Sequence, residues 1–350
     1  MLSKEKIIEV ESLPVDIQSG ATYTIKQANP NSYTHGMFKY PCKFIPEIPR
    51  WGIKTYLSEK RGVIFDPFSG SGTTLLEANV NGLDAYGTEI DDIAKLIIKV
   101  KTTVLDSAQM ELLDQCYSEI INIIGQDDVK LFIPAIANLE HWFSENTIKE
   151  LGRMKAYIDS IKDEDVQDYF KLCMASIIKK VSNADDTSPK PYVSNKIIKV
   201  PPTVEKEFTS VFRRYKQMMQ ELIHVKKMGN TVIIQGDALE FSVPSGIDLA
   251  ITSPPYINAF DYGRTMRLEN LWLDTLTEEM LRKKKSQYVG TEKINTKEEK
   301  NELGILEKSD LLKKYYNQIA EQDEKRALIV KKFFEDMENN LRCVYSQMNI

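Results

Sequence analysis

The sequence predicts an α/β fold, an open and mostly parallel sheet flanked by helices and interrupted by a large helical insertion. Three observations predict it. A strand, a glycine turn and a helix follow one another between Gly62 and Gly82; a second strand and helix come directly after; and two further strand-like runs return only past residue 230, beyond a stretch of helical periodicity.

The apolar run Val63-Ile64-Phe65 reads as a buried parallel strand ending at Asp66. The glycines after it make a tight turn, and Thr73 opens a helix that ends near Asn81-Gly82. The second strand, Ala85–Thr88, leads into Glu89, and apolar residues recur at helical spacing from Ile93 to Val104. Helices are predicted over Ala108–Ile124, Asn146–Ile161, Val166–Val181 and Val204–Lys227, with a polar, proline-punctuated loop at Ser182–Pro202. The third strand is Thr231–Gln235, before Gly236-Asp237-Ala238, and the fourth is Ile247–Thr252, before Ser253-Pro254-Pro255-Tyr256. A helix from Arg264 to about Lys285, a lysine-rich loop around Gly290–Gly304 and a helical tract from Leu306 onward complete the chain. The division this suggests is 1–104, a first part of the sheet domain; 105–230, the helical insertion; and 231–350, the sheet domain continued.

The composition is that of an ordinary globular chain, 42% hydrophobic and 28% charged over 350 residues, enough for about two domains. With 46 basic and 51 acidic side chains the formal net charge is −5, which argues against an all-over polyanion-binding surface but leaves room for a local basic patch. The opening residues are charged and no uncharged apolar run approaches about 18 residues, so a cytoplasmic protein with no membrane association is expected. Cys42, Cys116, Cys173 and Cys343 lie far apart without a C-x-x-C pair, beside only three histidines, so neither a metal site nor a disulfide framework is expected.

The turn Asp66-Pro67-Phe68-Ser69-Gly70-Ser71-Gly72 sits at the carboxyl end of a strand, where open α/β sheets bind ligands. Gly70 and Gly72 lack a Cβ and let the backbone approach a ligand. A dinucleotide fingerprint needs a glycine where Leu75 stands, and a phosphate-binding P-loop needs a lysine that Gly72-Thr73-Thr74 lacks. The remaining reading is a ligand without a large anionic group. Glu89, ending the second strand, is placed to bridge two ribose hydroxyls, and Asp237, ending the third, to accept from an adenine amino group. Either acid alone could equally cap a helix or stabilise a turn. With Asp66, three acids at three strand ends read as an adenosine pocket. Two prolines directly after a buried strand have no packing rationale, but they hold a neighbouring carbonyl and ring rigidly.

The motif Asp66-Pro67-Phe68-x-Gly70-x-Gly72-Thr73, together with Ser253-Pro254-Pro255-Tyr256, resembles the DNA methyltransferases that methylate exocyclic amino groups with S-adenosylmethionine. The stretch His35–Pro46 resembles that family's element upstream of the glycine turn, which packs on the methionine part of the cofactor, and Asn258–Arg264 with Leu271-Trp272-Leu273 resembles its continuation after Pro-Pro-Tyr. The likeness covers roughly 35–104 and 231–275. It implies a Rossmann-like methyltransferase sheet that binds S-adenosylmethionine through Phe44, Asp66, Pro67, Phe68, Gly70, Gly72, Thr73, Glu89, Asp237 and Ala238. It implies catalysis by Ser253, Pro254, Pro255 and Tyr256 on a base flipped out of duplex DNA. Serine at the head of the Pro-Pro motif resembles the N4-cytosine branch. Site-specific N4-cytosine methylation in a restriction-modification setting is therefore expected, with N6-adenine methylation, RNA amino-group methylation and a catalytically silent DNA-binding subunit as rivals. Cys42 precedes the glycine turn and reads as a packed thiol rather than a nucleophile.

Double-stranded DNA is the expected partner, with Arg282–Lys285, Lys293, Lys297 and Lys300, or Arg213-Arg214-Tyr215-Lys216, as candidate phosphate grips. Trp142, Phe143 and Trp272 are read as core anchors. Two departures from the family matter. The insertion at 105–230, a candidate target-recognition region, enters earlier than is usual, and no strand follows the C-terminal helical tract. A truncated or split enzyme is expected on that ground, weak or inactive alone, with a second chain supplying the absent strands or a cognate restriction endonuclease as a further partner.

Overall fold

The computed structural model describes residues 6–14, 16–25, 29–43, 45–57, 62–196, 198–257 and 262–349. It is a mixed α/β structure, mostly helical, with two small sheets in which every pairing is parallel. β1 (Lys6–Val10) and β2 (Ala21–Ile25) pair only with each other, and α1 (Glu47–Tyr56) is tied to them through Trp51 Nε1, which donates to the Pro14 carbonyl at 2.8 Å. There follow β3 (Val63–Asp66), α2 (Thr73–Val80), β4 (Asp84–Gly87) and α3 (Asp92–Thr102). A helical run comes next: α4 (Ser107–Ile124), α5 (Leu139–Trp142), α6 (Glu145–Ile158), α7 (Glu164–Val181) and α8 (Val204–Ile223). β5 (Thr231–Ile233) and β6 (Leu249–Ala250) return the chain to the sheet. Six helices close it: α9 (Tyr262–Thr265), α10 (Arg267–Trp272), α11 (Glu278–Lys284), α12 (Thr296–Asn301), α13 (Asp310–Ala320) and α14 (Glu324–Ser346).

The larger sheet has the order β5-β4-β3-β6. β4 and β5 lie to one side of β3 and β6 lies to the other, so the order reverses beside β3 and a crevice opens at the carboxyl ends of β3 and β6. β3 is central, with Ile64 and Phe65 fully buried, which explains its unbroken apolar run.

The helices start where side-chain caps tell them to. Asp106 and Gln109 form a capping box on α4, and Ser144, Asp163 and Thr203 cap α6, α7 and α8. Their apolar faces close over one core that includes Leu113, Phe170, Phe208 and Tyr215, and that core is continuous with Ile97 of α3 and Trp272 of α10. Segment 105–230 therefore packs directly against a helix of the sheet. Phe143 meets Trp272 edge-to-face at 5.5 Å inside this core, while Trp142 lies partly buried at its margin.

Four expectations change. The helix expected over Arg264–Lys285 is three helices, because the chain breaks at Met266 and again at Asp274, whose φ is +57°, before Thr277 caps α11. The lysine-rich loop contains α12, capped by Asn295, and the C-terminal tract divides where Asp323 caps α14. Two strands lie in the first 35 residues, yet they do not join the larger sheet. The free side of the fourth strand is instead met by the segment after α14: Ile247 N–H donates to the Gln347 carbonyl at 2.9 Å and Asn349 N–H to the Ile247 carbonyl at 2.8 Å. Among the described residues no helix is long and apolar enough to cross a membrane.

Candidate active site

The crevice at the carboxyl ends of β3 and β6 is a cleft of about 280 Å³. Its floor and sides are the glycine turn 67–71, the end of β4 at 88–90, the turn 237–239 and residues 253–256; segments 40–43 and 285–292 wall it, and Lys190 reaches it from the helical layer. Of the residues expected to bind cofactor, Pro67, Phe68, Gly70, Thr73, Glu89, Asp237 and Ala238 line this one cleft, together with Ser253, Pro254, Pro255 and Tyr256. Asp66 and Gly72 lie beneath its floor instead of on its lining, and Phe44 lies outside the described residues. So do Asn258–Asp261, in the stretch read as the continuation of Pro-Pro-Tyr.

The glycine turn is shaped by its neighbours. Gly70 and Gly72 have φ of +50° and +74°, conformations that favour glycine, and a Cβ on Gly72 would come within 2.8 Å of Ile98. Asp66 supports the turn from below: its Oδ1 accepts from Phe68 N–H at 3.1 Å, and its backbone carbonyl accepts from Ser69 Oγ at 2.8 Å. Burial pushes the Asp66 carboxyl up to about 6, opposed by the Phe68 N–H and the nearby hydroxyls of Thr252 and Thr74. Lys101, fully buried, donates to the Ser71 carbonyl at 2.9 Å, and burial holds its ammonium well below the usual lysine range. Sequence reasoning passed over Lys101. The available signal was a lysine in the last turn of an otherwise apolar helix face, between Ile97, Ile98 and Leu105.

Glu89 reaches across to the same turn. Its Oε2 accepts from Gly70 N–H at 2.8 Å, and its Oε1 accepts from the N–H groups of Ile90 and Asp91, each at 2.8 Å. Burial, with the Asp91 charge added, nevertheless pushes Glu89 up to about 8. Asp237 does the work of a turn acid, its Oδ1 accepting from Leu239 and Glu240 N–H groups at 2.8 and 3.1 Å, while the Ala238 carbonyl accepts from Asn340 Nδ2 of α14.

The two motifs are joined directly: Thr74, opening α2, donates through Oγ1 to the Ile251 carbonyl at 3.2 Å, just ahead of Ser253. Tyr256 stands 54% exposed on the cleft wall, and Cys42 lines the cleft as a half-buried thiol that burial pushes up, as a packed rather than reactive cysteine requires. His35 is buried, its Nε2 2.9 Å from Glu77 Oε1, and burial lowers it to about 4. Arg50 also holds Glu77, through bonds of 3.0 and 2.7 Å, an acid that sequence reasoning did not single out.

The lysine clusters behave differently from expectation. Lys283 pairs with Glu279, Lys284 with Asp92, Lys285 with Glu292 and Lys300 with Glu324, so most of the first cluster is neutralised within the protein. In the second, Tyr215 is buried with its hydroxyl accepting from Phe38 N–H, and Lys216 pairs with Asp114; Arg213 and Arg214 remain on the exposed face of α8.

Residues 3–100 match the family model described as DNA methylase, of the N6/N4 type. Over that segment the chain is similar to the N6/N4 DNA methylases. It is 27% identical over 338 residues to the type II methyltransferase M.MvaI of Kocuria varians, covering 90% of this chain and 74% of that one. It is 27% identical over 278 residues to the type II methyltransferase M.BsoBI of Geobacillus stearothermophilus, covering 71% and 54%, and 26% identical over 163 residues to M.MjaII of Methanocaldococcus jannaschii, covering 44% and 30%. The chain thus spans about half the length of the second of these methyltransferases and less than a third of the third. No solved structure matches it. The matched segment 3–100 ends within α3, so the Ser-Pro-Pro-Tyr corner lies outside the region that the family model covers.

Proposed function

We propose that the protein transfers a methyl group from S-adenosylmethionine to the N4 amino group of a cytosine flipped out of duplex DNA, at a specific site. The observation that carries this reading is the single cleft shared by the glycine turn 67–71, Glu89 and Ser253–Tyr256. The residues present fit the cofactor. Gly70 lines the cleft without a Cβ and leaves room for an adenosyl group, Glu89 offers a carboxylate to two ribose hydroxyls, and the absence of a phosphate-binding lysine in the turn suits a ligand without phosphates. When bound, the cofactor supplies an electrophilic methyl group on a sulfonium sulfur.

The chain's own residues supply positioning. Tyr256, exposed on the cleft wall, stacks on the face of the flipped base. The Ser253 hydroxyl and the Pro254 carbonyl would accept from the two amino hydrogens, drawing the nitrogen out of conjugation with the ring; as the nitrogen gains the methyl group the methyl–sulfur bond would break to leave a neutral thioether, and one amino proton would leave to water. The Pro254-Pro255 pair fixes that carbonyl, and the advantage over solution is one of orientation rather than of a covalent intermediate. The helical layer at 105–230 is the candidate for reading the target sequence. Relatives named as type II methyltransferases favour a restriction-modification role, with a cognate endonuclease as partner.

The test is incubation of the protein with labelled S-adenosylmethionine and mixed-sequence duplex DNA, followed by nucleoside analysis. Label in N4-methylcytosine supports the reading, label in N6-methyladenine moves the target base, and label in RNA alone or in no nucleic acid overturns it.

A further inference from the structure

Three lysines reach the cleft, and they are not equivalent. Lys43 Nζ donates to the His35 carbonyl at 2.8 Å, and Lys285 Nζ lies 2.6 Å from Glu292, so both are committed to the cleft's own walls. Lys190 comes from the loop between α7 and α8, is exposed, and among the described residues its ammonium forms no ion pair or hydrogen bond.

The loop that carries it is held in place from within. Asp185 Oδ1 accepts from Thr187 N–H at 2.7 Å and Ser188 N–H at 3.3 Å, and Asp185 N–H donates to the Tyr192 carbonyl at 2.9 Å. Lys199 Nζ bonds the carbonyls of Lys179 and Ala184 at 3.0 Å each and Asp186 at 2.9 Å, and Lys179 donates to the Ser188 carbonyl. Pro191, next to Lys190, is buried. Lys179 and Lys199 are thus consumed in building a strap, and of the three lysines at the cleft Lys190 is the one whose ammonium is bonded to no described residue.

We propose that Lys190 grips a backbone phosphate of the DNA at the mouth of the cleft, beside the nucleotide whose base enters it. The proposal rests on the methyl-transfer reading above. A base that leaves the stack keeps its own phosphates outside the pocket, and duplex DNA carries a charge about every 1.7 Å, so an exposed, unpaired cation at the mouth meets phosphate when the duplex docks. The cofactor would be held by the glycine turn, and Lys43 of the same cleft is half-buried with its ammonium on the His35 carbonyl. By this route the helical layer takes part in holding the target nucleotide, a role the lysines of α11 cannot fill while paired with Glu279 and Asp92.

The experiment is equilibrium binding of a mixed-sequence duplex to the full chain across a salt series, with S-adenosylhomocysteine present. For Lys190→Ala the slope of log affinity against log salt should become shallower by about 0.9, the loss should be uniform across sequences, and Lys190→Arg should restore the slope. Lys180→Ala, which removes a lysine paired with Asp186 in the same loop, should leave the slope unchanged. Cofactor affinity, measured by calorimetry, should be the same in all four proteins. A wild-type slope in Lys190→Ala overturns the proposal, as does weakened cofactor binding with the DNA slope intact, which would make Lys190 a partner of the cofactor carboxylate. Both outcomes leave the methyl-transfer reading standing when the wild type methylates DNA; a wild type that transfers no methyl group to DNA overturns that reading and this one with it.

Discussion

The backbone N–H of Gly70 donates to Glu89 Oε2 at 2.8 Å, so the acid that ends β4 is pinned to the crest of the glycine turn after β3. Three backbone N–H groups hold the carboxylate, yet burial and the nearby Asp91 push it up to about 8. The carboxyl proposed to accept from the ribose hydroxyls is therefore mostly protonated at neutral pH.

Cofactor binding should follow that titration. The ionised carboxylate accepts two hydrogen bonds and the protonated one loses acceptor capacity, so affinity for S-adenosylmethionine should rise as pH climbs toward and through about 8, then level off. Glu89→Gln should bind more weakly, by about 1.5–3 kcal/mol, and without that pH dependence. Calorimetric titrations across the range check both, and a flat wild-type profile would exclude Glu89 as the titrating ligand.

Tyr256→Ala should lose the stacking of the target base, worth about 1–3 kcal/mol, as a fall in kcat/KM for DNA with cofactor affinity unchanged. Tyr256→Phe keeps a stacking face and should stay near wild type. Steady-state methylation separates the two variants, and equal losses in both would assign the effect to the hydroxyl.

Acid should destabilise the fold through the His35–Glu77 pair. His35 is buried and lowered to about 4, so between pH 6.5 and 4 the unfolded chain takes up a proton that the folded chain refuses. Stability is lost as pH falls through that window, by on the order of 3 kcal/mol at most. For Glu77, burial pushes upward but the bonds from His35 and Arg50 outweigh it, and the net lowering is lost in the same direction as the carboxylate protonates. Urea unfolding at several pH values should show His35→Gln to be less acid-sensitive than wild type. At neutral pH, Glu77→Ala should cost about 1–3 kcal/mol, because it leaves the buried His35 ring without its partner while Arg50, 42% exposed, keeps access to water.

Lys284 should prove structural. Its ammonium lies 2.7 Å from Asp92 at the start of α3 and is largely covered. Lys284→Ala should lower the unfolding free energy by about 1–2 kcal/mol, read as an earlier urea transition, and leave the salt dependence of DNA binding as it was. A shallower salt slope in this variant would return α11 to the DNA surface.

Local order was readable from local chemistry. Val63-Ile64-Phe65 announced a strand buried on both faces, Gly70 and Gly72 a turn with left-handed φ, and the periodicities of α4, α6, α7 and α8 placed those helices within a few residues. The helix from Arg264 to Lys285 was misread because apolar spacing alone does not report the left-handed Asp274 or the restart at Thr277. The N-terminal strands escaped notice because β1 and β2 are only five residues each and stand apart from the strand-helix alternation that begins at β3.

Which charges are spent and which are spare was decided only in three dimensions. Composition shows lysines in runs, and a run looks like a phosphate grip whether or not acids from distant segments neutralise it. Asp92 is far from Lys284 in the chain, and Glu77 is far from His35, yet each pair is in contact. The left-handed geometry of the glycine turn followed from the sequence alone, because backbone preferences act between near neighbours. That this turn and the double-proline corner open into one cleft, with Lys101 beneath it and Lys190 at its rim, depended on the parallel pairing of β3 with β6 and the packing of the helical layer on α3. Those are long-range contacts, which no local pattern encodes.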